Sequence, residues 1–513
     1  MSKLIFFQII FFHILIHYFS LERRSFGADT FADRLRFIKT GKINFIDYFT
    51  LSPDRPLNFI FIDFQNSILF NNEILSLIFL IFSTVLLTII VYLIIFQITK
   101  NKEISFLLTI IYDLFPNKLE IFHNIVFLNI NFVYCIYLLS FLFFIKYINK
   151  NTKIYLLVSI FCYSISVFWY EIGFFLPLLF YFYLIFFEKK LKNKLFIFSP
   201  YILVGLFYLS LRFLISFFYD ISESSHYINF SLLFNSIIEV FNFIAGKYII
   251  KYIVYGIYQF FKISYFYFFI IIFLDFIFIM IVFKMFDRIK FDNLNKKLVI
   301  FSILIIFIPL LPIFALGSSA GRHFVIPSIG LSIILLTLFF SLIKNNFKQY
   351  FIIIFSLAIV INQGNAWTQT NTMRIEKDIA NTILNNKDEI LNSKYIVFDA
   401  SSFQNKIEHA LVNNEQNILN TYFGFQLFEE WGIKSMIRLL INTDNIKILF
   451  AVKPLQLNNN EDKLTIDIRK NKGYRKFEKF VEVIENNDVF IIDYNKVYNN
   501  NSSTFFKIDL LIN

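Results

Sequence analysis

Residues 74–98 read ILSLIFLIFSTVLLTIIVYLIIFQI, with no charged side chain. About 20 apolar residues suffice for a helix to cross the hydrocarbon core of a bilayer. The stretch therefore predicts a membrane-spanning helix. Similar runs follow on both sides, near 4–20, 104–116, 124–147, 154–169, 172–187, 195–217, 263–283, 298–316, 324–343 and 350–363. The first is read as an uncleaved helix, because Ser20-Leu21-Glu22-Arg23-Arg24 is a poor signal-peptidase site. The run 154–187 is broken at Trp169-Tyr170-Glu171 and reads as a tight helical hairpin. Residues 235–261 carry Lys247 and Lys251 among aromatics and read as interfacial, with the lysines snorkelling, or as one further span.

Composition agrees. The 513 residues are 57% hydrophobic, 20% aromatic and 17% charged, where soluble domains average about 25% charged residues. This excludes a soluble enzyme as the whole chain, and also a disordered protein, a disulfide scaffold and a coiled coil. Abundant Phe, Ile, Asn, Lys and Tyr beside only 13 Gly, 9 Pro and 3 Trp is the bias of an AT-rich genome. Cys135 and Cys162 both sit in apolar runs and read as buried thiols.

The net charge of +11 is a matter of topology. Loops 99–103, 146–153, 188–194, 284–297 and 344–349 hold sixteen Lys and Arg, whereas loops 116–123, 218–230 and 317–323 hold only Lys118 and Arg322. By the positive-inside rule the N-terminus is cytosolic, and segment 21–73 and the C-terminal region lie outside. Segment 21–73 carries seven basic residues, which the rule does not explain.

At residue 364 the composition turns polar, with 18 basic and 19 acidic residues to the end. Segments 394–398, 446–450 and 489–493 read as short buried strands, with helical patterns at 366–391 and 425–441. The fold class expected is a polytopic α-helical membrane protein of about eleven spans. Residues 1–363 form the multi-span domain with outer loop 21–73, and residues 364–513 form an extracytoplasmic soluble α/β domain. No phosphate loop, metal-ligand cluster or nucleophile elbow is found in that domain.

Polar residues at the outer span ends are the candidates for chemistry. If 29–37 is helical, Asp29 and Asp33 share a face. One of two close carboxylates can act as a general base, or both simply pair with Arg34 and Arg36. Glu120, after Pro116, reads as a capping or interfacial residue paired with Lys118 or His123. Glu171 follows Tyr170 in a hairpin without a cation nearby in sequence. A carboxylate at membrane depth is a functional hypothesis, unless the turn lifts it to the interface. Arg322 and His323 follow Gly317-Ser318-Ser319-Ala320-Gly321, where Arg322 can hold a phosphate bidentately or serve as an interfacial anchor. Arg212 lies inside a span near its outer end. Trp367 reads as an aromatic-belt residue.

Taken together, the pattern resembles the GT-C class of integral-membrane glycosyltransferases. It has a cytosolic N-terminus, one helix, and a long outer loop with Asp29 and Asp33. Arg55-Pro56-Leu57 then precedes the second span, followed by Glu120 after Pro116, the Tyr170-Glu171 hairpin, a late Arg322 and an outer C-terminal domain. The family usually has adjacent acids in the first loop, and here three residues separate them.

The resemblance covers about residues 1–365. It implies inverting transfer of a sugar from a polyprenyl-phosphate donor to a glycan, lipid or protein acceptor, in the bacterial cytoplasmic membrane. It further implies Asp33 or Asp29 as the base and Arg322, His323 and Arg55 at the donor phosphate, with Glu171, Glu120 and Tyr170 shaping the cavity or binding the acceptor. A divalent metal is compatible with such a site but not required, and nucleic acid is not an expected partner. The alternatives are a transporter or flippase, or a polymerase or ligase of lipid-linked glycans.

Overall fold

A computed structural model describes residues 3–21, 34–39, 55–69, 72–188, 194–218, 233–286, 296–316, 321–342, 347–399, 430–442, 446–451, 456–458, 463–471, 477–485 and 489–493. The chain divides into two units, Met1–Arg23 with Lys42–Trp367, and Arg24–Gly41 with Thr368–Asn513.

The first unit is helical. Among the described residues, six helices are long and apolar enough to cross a membrane: Ile74–Thr99, Leu128–Lys150, Phe196–Ile215, Tyr265–Lys284, Lys296–Phe314 and Lys348–Thr368. Four shorter apolar helices accompany them, Lys3–His17, Lys153–Trp169, Glu171–Phe187 and Pro327–Ser341. Side-chain amides set the tight turns between helices. Asn72 Oδ1 accepts from Leu75 N at 2.9 Å and starts Glu73–Thr99, which Lys100 ends in the left-handed region. Asn101 Oδ1 accepts from Ile104 N at 2.9 Å and starts Lys102–Leu114 at once. Cap and counter-cap therefore turn the chain back within two residues.

Segment 235–261 is two helices, Leu233–Ile244 and Lys247–Phe260, each too short to span alone. The second crosses helix Phe347–Asn385 where Gly256 meets Gly364. A Cβ on Gly364 would lie 1.8 Å from the Gly256 carbonyl oxygen, and one on Gly256 would lie 2.4 Å from that of Ile361. Close backbone approach through small residues is a common solution for helices in lipid, where burial alone drives no association. Trp367, expected in an aromatic belt, is instead buried with Phe260, Ile263 and Ile271, its ring 6.3 Å from Phe19 and 6.0 Å from Tyr267.

In the second unit the three segments read as strands are strands: β1 (Tyr395–Asp399), β2 (Lys447–Ala451) and β6 (Val489–Asp493). β1 lies between β2 and β6, parallel to both. Three more strands complete a six-stranded sheet: β3 (Gln456–Asn458), β4 (Lys463–Asn471) and β5 (Phe477–Glu485). β4 runs antiparallel to β2, β3 and β5. Val397, Leu449, Ala451, Ile466 and Ile491 make the core, as expected for β-branched and aliphatic side chains on facing pleats. The pattern expected at 366–391 is largely the continuation of the last apolar run, since helix Phe347–Asn385 is unbroken over 39 residues. No proline interrupts it.

Candidate functional site

Four segments of the first unit bring two Arg–carboxylate pairs together at helix ends. Arg55 is the residue before helix Pro56–Phe64, whose proline occupies the first turn, where its missing N–H costs nothing. Glu171 opens the short turn Glu171–Gly173 between Lys153–Trp169 and Leu176–Phe187. Arg55 Nε donates to Glu171 Oε2 at 2.7 Å, and Nη2 donates to Oε1 at 2.5 Å. The guanidinium carbon stands 4.4 Å from the Tyr170 ring centroid. Tyr137 donates to the Tyr170 carbonyl and ties the turn to helix Leu128–Lys150.

The second pair is built alike. Glu120 lies in the short helix Leu119–His123 after Pro116, and Arg322 in the turn Gly321–Phe324. The backbone N of Arg322 donates to Glu120 Oε2 at 3.1 Å, and Nη1 donates to Oε1 at 3.3 Å. Tyr134 Oη donates to the Arg322 carbonyl at 2.7 Å. Ser328 Oγ donates to Asn117 Oδ1 at 3.0 Å, which ties the same two turns a second time. Gly321 is required by this approach, since a Cβ there would lie 2.8 Å from the Asn117 carbonyl oxygen and 3.2 Å from Glu120 Oε2.

The two pairs share one neighbourhood. Tyr134 feels the charges of Glu120, Glu171 and Arg322, and His323 feels both Arg322 and Arg55. Arg212 also acts on Glu171. The acids are the shielded partners: Glu120 is 2% exposed and Glu171 13%, against 31% for Arg322 and 25% for Arg55. Each guanidinium is thus oriented by a shielded carboxylate while part of its surface stays open. Such a group can keep its carboxylate and offer its remaining N–H donors to a phosphate.

His323 behaves differently from the cation expected at a donor phosphate. Burial first, and then the charges of Arg322 and Arg55, hold its imidazole well below its ordinary value, so it is neutral near pH 7. The unfolded chain binds a proton at this position below about pH 6.5, whereas the folded chain does not until lower pH. The unfolded state therefore carries more protons in that window, and stability falls as pH drops, by up to about 1.4 kcal/mol per pH unit. Melting temperatures between about pH 6.5 and 5 are expected to fall less steeply for His323→Gln than for the wild type. Equal slopes would show that His323 is not the responsible proton acceptor.

Six of the eight residues expected at a site are therefore assembled: Arg55, Glu120, Tyr170, Glu171, Arg322 and His323. Asp29 and Asp33 lie outside the described residues. Glu120 pairs with Arg322, and Lys118 turns instead to backbone carbonyls, with Nζ donating to Tyr112 O, to Phe115 O at 3.1 Å and to Asp113 O at 3.3 Å.

Sequence reasoning missed a second group. His13 and His17 of the first helix meet Asp113 in the interior, with His13 Nδ1 2.8 Å and His17 Nε2 3.6 Å from Asp113 Oδ1. All three are buried, and one donor atom from each lies within 4.8 Å of the others. The available signal was two histidines four apart, on one face of an otherwise apolar helix.

No protein-family model matches the chain, and neither does any curated protein.

Proposed function

We propose that this chain is a membrane glycosyltransferase of GT-C type that takes a sugar from a polyprenyl-phosphate donor. The observation that carries the reading is the gathering of Arg55–Glu171 and Arg322–Glu120 at helix ends of an apolar bundle. A lipid-linked phosphate is an amphiphile, and this arrangement suits both its parts. The phosphate would meet two oriented guanidiniums, while the tail stays among apolar side chains. An apolar cavity of about 400 Å³, lined by Leu114, Phe115, Pro116, Phe351 and Phe355 among others, adjoins Asn117 in the chain and offers the tail room.

In this reading, Asp33 or Asp29 accepts the proton of the acceptor hydroxyl. The hydroxyl oxygen forms a bond to the anomeric carbon, and the bond from that carbon to the phosphate oxygen breaks. The electron pair leaves with the lipid phosphate, whose charge Arg322 and Arg55 stabilise. Glu120 and Glu171 hold the guanidiniums in place, and neutral His323 serves as a hydrogen-bonding group. The acceptor is a glycan, lipid or protein.

The same reading supplies the topology. The six long helices, the four shorter ones and Lys102–Leu114 make eleven spans. With a cytosolic N-terminus, the paired arginines, segment 21–73 and the C-terminal α/β domain face outward from a bacterial cytoplasmic membrane. The seven basic residues of segment 21–73 then face anionic lipid headgroups.

The test uses purified full-length protein in liposomes, with a polyprenyl-phosphate sugar and a panel of acceptors. Transfer is expected in the wild type, and Arg322→Gln, assayed on its monodisperse fraction, is expected to lower kcat about a hundredfold. Movement of the donor between leaflets without any transfer would establish the transporter reading instead. Full activity in Arg322→Gln would remove the arginine from the mechanism.

A further inference from the structure

The buried group around Asp113 carries an inference independent of the glycosyltransferase reading. A carboxylate and two imidazoles inside an apolar bundle are costly, and side chains of this kind at membrane depth mark function by default. His13 and His17 are one turn apart on helix Lys3–His17, so both rings project to the same side. Asp113 comes from the last turn of helix Lys102–Leu114. The two rings present their inward nitrogens to one carboxylate oxygen.

We propose that His13 Nδ1, His17 Nε2 and an Asp113 carboxylate oxygen form a binding site for a divalent transition-metal ion of the zinc class. Three observations support it. The first is spacing. Ligand atoms on a tetrahedral zinc, with bonds of about 2.0–2.1 Å, stand about 3.4 Å apart. The observed separations from Asp113 Oδ1 are 2.8 Å to His13 Nδ1 and 3.6 Å to His17 Nε2. Shifts of well under 1 Å would bring both to the required value.

The second is support behind the ligands. Histidine ligands usually engage a protein partner through the other ring nitrogen, which fixes ring orientation. His13 Nε2 lies 2.9 Å from Thr84 Oγ1, and His17 Nδ1 lies 3.2 Å from His123 Nε2. The third is the direction of the Thr84 bond. A hydroxyl has one hydrogen to give. The other neighbours of Thr84 Oγ1 are the carbonyls of Leu80 and Ile81, at 3.0 and 3.1 Å, and Tyr18 Oη at 3.1 Å. Tyr18 itself donates to the Phe122 carbonyl, so all three are acceptors for Thr84. With its one hydrogen given to the Leu80 carbonyl, Thr84 accepts from His13 Nε2–H, and in the neutral ring of that tautomer the Nδ1 lone pair is aimed at Asp113. Two electron-rich atoms face each other there, and a cation, metal or proton, belongs between them. Thr88 Oγ1, 3.3 Å from His13 Nδ1 and 3.4 Å from Asp113 Oδ1, is placed to supply a further oxygen.

Such an ion would be structural. His123 behind His17 sits on the same short helix as Glu120, so the metal would brace the turn that holds Arg322.

The experiment uses full-length protein purified in detergent with a histidine-free tag, stripped with a chelator and dialysed against zinc. Elemental analysis is expected to find about one zinc per chain in the wild type. His17→Gln and Asp113→Asn are each expected to weaken zinc binding at least tenfold, while His323→Gln retains full content. Cobalt in place of zinc is expected to give visible ligand-field bands in the wild type and to lose them in His17→Gln. Should Asp113→Asn fail to fold, His17→Gln, which keeps a hydrogen-bonding end of similar size, carries the comparison. Wild-type protein well below one zinc per chain would overturn the site and leave an imidazolium–carboxylate bridge holding a proton. Zinc retained equally by His17→Gln would also overturn it. Sugar transfer is not used as a readout, so the two proposals fail separately.

Discussion

Lys118→Met is expected to remove most of the folded protein from membranes, while Lys118→Arg retains a substantial part. The reason lies at the end of helix Lys102–Leu114. The last carbonyls of a helix have no partner within it, and in an apolar bundle each must find a donor. Here Pro116 blocks continuation of the helix and supplies no N–H. Lys118, 0% exposed, provides the donors, bonding the carbonyls of Tyr112, Asp113 and Phe115. Its ammonium also stands 4.4 Å from the Tyr112 ring centroid and 5.0 Å from that of Phe122. Methionine fills the same length but donates nothing. The Tyr112 carbonyl keeps a bond from Phe115 N at 3.2 Å, and each buried acceptor left without a donor costs about 1–3 kcal/mol. Part of this is returned because no ammonium need be desolvated, so the net cost is about 3–5 kcal/mol. Folded proteins hold only about 5–15 kcal/mol in reserve. Yield of monodisperse protein and its melting temperature are the measurements. A Lys118→Met protein with wild-type values would show that these carbonyls do not depend on the lysine.

The Arg55–Glu171 pair is expected to separate stability from activity in a double-mutant cycle. Arg55→Gln leaves a shielded carboxylate without its cation, and such removals cost about 3 kcal/mol or more. Removing both charges is different, because apolar replacements often match or exceed the stability of a buried ion pair. The double variant Arg55→Met with Glu171→Met is therefore expected to recover most of the melting temperature lost by Arg55→Gln. It is not expected to recover sugar transfer, since the proposed function requires the guanidinium at the phosphate. A stable and fully active double variant would confine the pair to a structural role.

These pairs mark the limit of what the sequence shows. Apolar runs are local, and six of them form helices long and apolar enough to cross a membrane among the described residues, while 235–261 divides into two helices and the last run continues to Asn385. Glu120, Glu171 and Arg322 were visible as polar residues at span ends, because charge is conspicuous against an apolar background. Their partners were not visible. Glu171 meets a guanidinium 116 positions away, and Glu120 one 202 positions away, and nothing local encodes such pairings. Lys118, close to Glu120 in sequence, gives its hydrogens to backbone carbonyls, and the partner of Glu120 is the distant Arg322. His13 and His17 escaped notice because a histidine in an apolar run is inconspicuous until a carboxylate is placed beside it. In the sheet, β4 and β5 were missed for another reason. Their alternating charged and apolar residues, as in Lys463-Leu464-Thr465-Ile466-Asp467-Ile468, carry the period-2 pattern of a strand with one solvated face. Continuous apolar runs mark only the buried strands β1, β2 and β6.

Glycine codons begin with two guanines, and in a genome drifting toward adenine and thymine they are lost faster than most. Single changes to A or T in those bases produce Ser, Arg, Asp, Glu, Cys, Trp, Val or a stop codon. Every one of those amino acids carries a Cβ, and at the crossing of Gly256 and Gly364 a Cβ has 1.8–2.4 Å in which to fit. Mutational pressure and helix geometry thus oppose each other at these two positions. A saturation library of this gene should show its sharpest depletion of base changes there, and revertants should favour the costlier GC-rich codon.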